Sequence, residues 1–574
     1  MKTILRYTFT YKYYLLLLFL FIFIHSLTQL LLPTLMGNIV DNGVVVGNIT
    51  YIWQVGLLML VVASIGIVMS IVVSFIASKI AMSVGKNMRK DVFSKVTNFS
   101  LHQFDSIGTA SLITRTTNDI TQIQQALIMF LRMFLMAPFM LIGGLLMAFV
   151  KDFQLSLVIL FAIPFIVLAV YLLLKKGYPL FQSVQQRLDR LNVVLRENLT
   201  GVRVIRSFTK QKDERKRLER ANFDLTDVSI RVNRLMAFTF PFMMLLMNVT
   251  IILIIWFGGI RIDRGMLEIG DLMAFIQYVM LILMALMMAS MLFVMIPRAS
   301  VSANRINEIL VIDTKEKANG KKIDSKTPLT VKFNNVQFAY PDAEQLVLEN
   351  INFTAKPGET TAIIGGTGSG KTTLIQLLLR FYEPTNGEIR LNDIPLKEID
   401  EHHLRDVIGY VPQKALLFSG TVCENLRYGN DTATKEEVMR AAKIAQAHQF
   451  ISELPKSYDT FIEQGGANLS GGQKQRLSIA RTLVRKPSIY LFDDSFSALD
   501  YETDLKLREE LKQETNQATV FIVAQRISTI KHADQIIVLD KGKMVGKGTH
   551  DELLKTCEVY KEIVASQTGE GKTG

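Results

Sequence analysis

The chemistry in this chain is concentrated at Gly365-Gly366-Thr367-Gly368-Ser369-Gly370-Lys371-Thr372, which has the spacing GxxxxGK[ST]. The apolar, β-prone run Thr361-Ala362-Ile363-Ile364 precedes it, and a helical pattern from Thr373 to Arg380 follows, so the glycines sit where a strand turns into a helix. In that setting backbone N–H groups turn inward onto phosphate oxygens. Lys371 supplies positive charge to the β and γ phosphates, and the Thr372 hydroxyl is a ligand for Mg²⁺. A second buried strand, Ser488-Ile489-Tyr490-Leu491-Phe492-Asp493, ends in a carboxylate suited to holding Mg²⁺ through water. Between the two lies Leu469-Ser470-Gly471-Gly472-Gln473, where Ser470, Gly471, Gly472 and Gln473 open another helix. Its N-terminus can bind an anion, and the same pattern also serves as an ordinary helix cap.

These groups need a scaffold, and from Leu329 the chain alternates short β-rich runs with helical ones, the pattern of an α/β domain with a largely parallel sheet. The preceding three hundred positions are different in kind. Of 574 residues 49% are hydrophobic, and the apolar ones crowd into runs near 20 residues long. Six spans are expected, around Tyr13 to Met36, Ile52 to Ala77, Ala126 to Val150, Leu155 to Leu174, Leu235 to Ile260 and Leu272 to Ile296. The first is too long for a cleaved signal peptide and is read as a membrane helix. The fold class is therefore a six-span α-helical transmembrane domain followed by an α/β P-loop NTPase domain. The expected boundaries are 1–308 for the membrane domain, 309–328 for a linker, 329–568 for the nucleotide-binding domain and 569–574 for a disordered tail.

The net charge of +12 is not read as a nucleic-acid footprint, because Lys and Arg flank the apolar spans, as membrane topology favours. Lys2, Arg6 and Lys12 precede the first span, whereas 37–51 carries no Lys or Arg, so both termini are expected on the cytoplasmic side of a multi-pass cell-membrane protein. The two cysteines, Cys423 and Cys557, lack metal-site spacing. Two long, basic, helix-patterned connections face the cytoplasm. Their tips, Phe104 to Gly108 and Gly201 to Ile205, read either as short helices that dock on another domain or as surface turns. Span six carries Met280, Met284, Met287, Met288, Met291 and Met295, and span five Met243, Met244 and Met247. Such a face suits varied hydrophobic or amphipathic molecules, and it suits helix and lipid packing equally. His25 and Arg132 are the ionisable residues expected within spans.

The order of these motifs resembles the ATP-binding cassette (ABC) family, and nearly the whole chain resembles a bacterial half-transporter of the type IV exporter fold. The resemblance implies ATP and Mg²⁺ as ligands and assigns further roles. Tyr340 stacks on adenine, Gln413 senses Mg²⁺ and the membrane domain, and Asp500 in Ser497-Ala498-Leu499-Asp500 communicates across a dimer interface. The two tips become coupling helices. It also implies that two cassettes pair head to tail, with ATP held between the phosphate loop of one chain and the signature Ser470–Gln473 of the other. No separate outer binding domain or leader-processing region is expected, which disfavours import.

Against that pattern three positions depart. Asp494 stands where the family usually has the Glu that acts as general base, Gln525 where it usually has the γ-phosphate His, and Glu463-Gln464-Gly465-Gly466 in place of the usual GERG run. One methylene fewer withdraws the carboxylate by about 1.5 Å. With the phosphate loop and signature intact, the resemblance narrows to heterodimeric multidrug exporters in which one ATP site is degenerate. This chain is then the degenerate-site subunit, with membrane lipid and a second half-transporter as partners; the alternative is a homodimeric, lipid or peptide exporter with slow hydrolysis.

Overall fold

The computed structural model describes residues 2–313, 320–323, 327–341 and 343–568. Most of the expected linker run Thr314 to Lys322, and the expected tail 569–574, lie outside the described residues. The chain divides into two compact units, Met1–Asn98 with Ile107–Ile312, and Phe99–Ser106 with Asp313–Gly574.

The first unit is all helical. Among the described residues, five helices are long and apolar enough to cross a membrane: Lys12–Val44, Ile49–Thr97, Thr109–Lys151, Gln211–Asp263 and Ile269–Met288. The expected fourth span begins the 48-residue helix Phe153–Thr200, whose described opening stretch, Phe153–Ala169, is apolar. A short helix, Lys2–Phe9, comes before the first span and was not foreseen. Leucines, isoleucines and valines such as Leu57, Ile67, Val68 and Ile71 face outward, as a lipid solvent requires. Where helices meet they use small residues: a Cβ on Gly37 would lie 2.8 Å from the Gly270 carbonyl oxygen. Polar groups at the helix ends are paired. Asp152 accepts from Leu155 N at 2.8 Å, capping the helix it precedes, and takes Arg261 Nε at 2.7 Å. His25 is satisfied within the unit, its Nδ1 3.0 Å from the Gly66 carbonyl oxygen.

The tips of both long connections are helical. Leu101–Ile107 ends before Gly108, whose φ of +79° suits glycine, and Val202–Ser207 follows Gly201. Phe99–Ser106 belongs with the second unit, where Gln103 Nε2 donates to Asp313 O at 3.3 Å.

The second unit is built on a ten-stranded sheet in the order Ile394–Pro395, Asn386–Leu391, Val331–Phe338, Leu348–Ala355, Lys543–Gly548, Gln535–Asp540, Thr360–Gly365, Thr519–Val523, Ile489–Asp493, Ile408–Val411. The last five strands run parallel to one another, and the rest of the order is mostly antiparallel. Side chains alternate across a strand, so these hydrophobic runs feed two cores at once. Ala362, Ile364, Tyr490, Phe492, Val520 and Ile522 enter one, whereas Ile363, Ile489, Leu491, Phe521 and Val523 enter the other. A sheet covered on both faces holds its strand ends rigidly, and the next residues of four parallel strands form the site.

Candidate nucleotide-binding site

Strand Thr360–Gly365 delivers the phosphate loop, and helix Lys371–Leu378 leaves it. Gly368 and Gly370 have φ of +78° and +96°, backbone that a side chain would strain. At Gly365 a Cβ would come within 2.1 Å of the Leu539 carbonyl oxygen, so the loop cannot carry a side chain at its entrance. The Lys371 amine donates to the carbonyls of Gly365 at 2.9 Å and Gly366 at 2.7 Å. Burial holds its pKa below the ordinary lysine value, while Asp494 and Asp493 oppose that shift.

Next to the loop, strand Ile489–Asp493 ends at the two carboxylates. Asp493 Oδ1 is 3.5 Å from Thr372 Oγ1, and its Oδ2 accepts from the Tyr410 hydroxyl at 3.4 Å. Asp494 turns the chain with φ of +49°, a left-handed conformation that Asp tolerates, and its N–H donates to Val523 O at 2.9 Å. That turn aims the side chain at the neighbouring strand ends. Asp494 Oδ2 accepts from Gln413 Nε2 at 3.2 Å and from Gln525 Nε2 at 2.9 Å. Burial raises the pKa of both carboxyls, Asp493 and Asp494.

Tyr340 lies over the start of the loop helix, its hydroxyl 3.1 Å from Thr373 Oγ1 and 3.3 Å from Gln376 Oε1. Tyr382 meets it edge to face at 5.2 Å. The signature forms a complete capping box, with Gln473 N donating to Ser470 Oγ at 3.3 Å and Ser470 N to Gln473 Oε1 at 2.9 Å. Gly471 faces open space, and Gly472 packs on the Ala498 carbonyl. Asp500 caps helix Tyr501–Glu514 by accepting from Thr503 N at 2.9 Å. Among the described residues, no hydrogen bond joins Ser470–Gln473 to Gly365–Thr373.

Thus Lys371, Thr372, Asp493, Asp494, Gln413 and Gln525 come together at one edge of the sheet, with Tyr340 and Thr373 along the same loop helix. Tyr410 and Arg526 are additional. Tyr410 stands three residues before Gln413 on the strand that neighbours Asp493, and Arg526 lines one small cleft with Asp494, Ser497 and Gln525.

The residues suit a phosphate-bearing ligand. Ser369 Oγ is buried inside the loop without a hydrogen-bond partner, a polar atom that a ligand oxygen would satisfy. For a cation the protein offers the Thr372 hydroxyl, the Gln413 amide and the Asp493 carboxylate. Among the described residues there is no cluster of three or more His, Cys, Asp or Glu side chains able to hold a metal. Such a sparse oxygen set fits Mg²⁺, which keeps water and leans on substrate phosphates.

Residues 15–286 match the family described as ABC transporter transmembrane region, and residues 348–497 match the family described as ABC transporter. The chain is 41% identical over 541 residues to the uncharacterized ABC transporter ATP-binding protein YfiB of Bacillus subtilis, covering 94% of each. It is 40% identical over 553 residues to the uncharacterized ABC transporter ATP-binding protein Rv1273c of Mycobacterium tuberculosis, covering 95% of this chain and 94% of that one. A solved structure of a bacterial Atm1-family ABC exporter with ATP bound matches with a TM-score of 0.81 at 25% identity, over 98% of this chain and 99% of that one.

Proposed function

This chain belongs to the ABC transporters, with one membrane region and one ATPase domain, and on that premise we propose that it is the degenerate-site half of a heterodimeric exporter that holds ATP and hydrolyses it poorly. The observation that carries this reading is the convergence of Gln413 and Gln525 on one oxygen of Asp494. A general base must present a free lone pair to the attacking water. Here the shorter side chain is drawn back between two amide donors, and Gln525, unlike a histidine, carries no titratable proton to the γ-phosphate.

Each remaining residue has a task. The Gly365–Thr372 loop with Lys371 binds the phosphates, Thr372, Asp493 and Gln413 hold the metal, and Tyr340 supports the base. When bound, Mg²⁺ neutralises charge between the β and γ phosphates. Ser470–Gln473, its capping box intact, is presented to the ATP held on a second ABC subunit, whose own base performs the hydrolysis. Binding at both sites closes the cassettes, and hydrolysis at the partner's lets them open. The membrane unit, in the cell membrane with both termini in the cytoplasm, would move hydrophobic or amphipathic small molecules. Exposed Met280, Met284 and Met287 on helix Ile269–Val311 support an adaptable surface for them; the side chain of Met291 lies outside the described residues.

The deciding experiment is purification of this chain from its native membrane under mild conditions. A co-purifying second ABC chain with Glu after its metal-binding Asp and His at its switch is expected. Recovery of this chain alone, transporting and hydrolysing ATP at full rate, would sink the proposal.

A further inference from the structure

The segment that carries Gln525 continues into a helix of only four residues, Ile527–Ile530. So short a helix cannot sustain itself, since nearly all of its N–H and C=O groups lack partners inside it. Its own N-cap, Arg526, contributes no side-chain hydrogen bond. Both ends are instead held by side chains from elsewhere in the chain. Gln567, in the C-terminal helix Glu558–Thr568, accepts from Ile527 N through Oε1 at 2.8 Å and donates from Nε2 to the Gln525 carbonyl at 2.7 Å. Arg508, on helix Tyr501–Glu514, donates through Nη1 to Ser528 O at 3.0 Å and to Thr529 O at 3.2 Å.

The two clamps are themselves anchored. Arg508 is paired with Asp504, a carboxylate only 8% exposed, at 2.9 Å. The C-terminal helix is rooted by Tyr560, which is fully buried, and by Ile563 and Val564, in the same apolar core that receives Ile527 and Ile530. Four hydrogen bonds from two separate elements therefore define where the Gln525 backbone stands. Its side chain in turn reaches Asp494 over 2.9 Å, a bond that a displacement of about 1 Å would break.

We propose that Gln567 and Arg508 are positioning residues of the nucleotide site, and that the C-terminal helix sets the reach of Gln525 toward Asp494 and the γ-phosphate. This rests on the reading of the site as one that binds Mg²⁺ and ATP. Anything that bends or displaces the end of the C-terminal helix then alters nucleotide retention without touching the phosphate loop.

The test is equilibrium binding of a fluorescent ATP analogue with Mg²⁺ to the full chain in lipid nanodiscs, run as a double-mutant cycle. Gln567→Ala is expected to weaken binding roughly fivefold, and Arg508→Ala roughly tenfold, in line with the loss of a neutral and a charged hydrogen-bonding group. Gln567→Glu keeps the acceptor for Ile527 N but sets a carboxylate against the Gln525 carbonyl, and should weaken binding at least as much as Ala. In a Gln525→Ala background, Gln567→Ala should have almost no further effect, because its influence travels through that side chain. A merely structural contribution would move the melting temperature and leave the two substitutions additive, and additivity overturns the proposal, as does unchanged binding in Gln567→Ala. Should Arg508→Ala fail to fold, the exposed Gln567 carries the test alone. A wild-type chain unable to bind the analogue would refute the nucleotide site itself, a separate outcome.

Discussion

Restoring a longer base at position 494 should wake the site. In the native chain Asp494 Oδ2 is held by two amide donors at 3.2 and 2.9 Å. Asp494→Glu adds one methylene and carries the carboxylate outward by about 1.5 Å, the scale of misplacement that costs on the order of a hundredfold in rate. Replacing Gln525 by His removes one of the two donors and adds a group that can hold a proton at the γ-phosphate. At about 1.4 kcal/mol per decade, release from a single charged hydrogen bond contributes roughly another factor of ten. The signature Ser470–Gln473 keeps its capping box, so two copies of the altered chain supply every element a competent site needs. Phosphate release by the full chain in nanodiscs, with Lys371→Met as the zero, should therefore rise on the order of a hundredfold for Asp494→Glu. The double variant Asp494→Glu/Gln525→His should rise on the order of a thousandfold. The reasoning fails if Asp494→Glu stays within about twofold of wild type, or if the wild-type chain already turns over faster than about 1 s⁻¹, the lower end of ordinary enzyme rates.

Three further outcomes follow from the same geometry. Burial lowers the Lys371 pKa, so the unfolded chain holds that proton more tightly and stability rises with pH through the window between the lowered value and the ordinary one; Lys371→Met should accordingly abolish ATP binding while raising the ligand-free melting temperature by about 1–2 °C in calorimetry. Burial raises the pKa of Asp493 and Asp494, so the folded site takes up protons above the usual carboxylate range. Isothermal titration should show Mg²⁺-dependent ATP affinity falling on acidification from a higher pH than free carboxylates would give, while ligand-free stability in that window moves the other way, falling as pH rises. Ser470→Ala breaks the capping box and costs about 1 kcal/mol of local stability; in the assembled exporter it should depress total ATPase activity while leaving ATP binding to this chain's own phosphate loop within about twofold.

Much of the site was legible because its chemistry is local. The phosphate loop and the strand ending at Asp493 carry their geometry in a few adjacent residues, and the signature helix announces its cap by Ser470 and Gln473 three apart. What sequence could not give is convergence. Gln413 and Gln525 are 81 and 31 residues from Asp494, and only the strand order, with Thr519–Val523 and Ile408–Val411 on either side of Ile489–Asp493, brings them to one oxygen. The Gln567 clamp left no local signal at all, since a glutamine near the end of an amphipathic helix is unremarkable in type. In the membrane half, apolar runs located the spans, and the helix that the fourth of them begins, Phe153–Thr200, runs on well past its apolar part. Phe99–Ser106, read as part of the membrane domain by its place in the chain, groups instead with the second unit, because grouping follows contacts and not sequence order.

The central claim is that this chain retains ATP intact on its own phosphate loop while its partner's site turns over. Photo-reactive ATP labelled on the α or the γ phosphate, incubated with Mg²⁺ and the purified native complex and then cross-linked, reads that directly. The account predicts that label on this chain keeps both phosphates in equal measure while the second chain loses the γ label. Loss of the γ label from both chains at the same rate would contradict it.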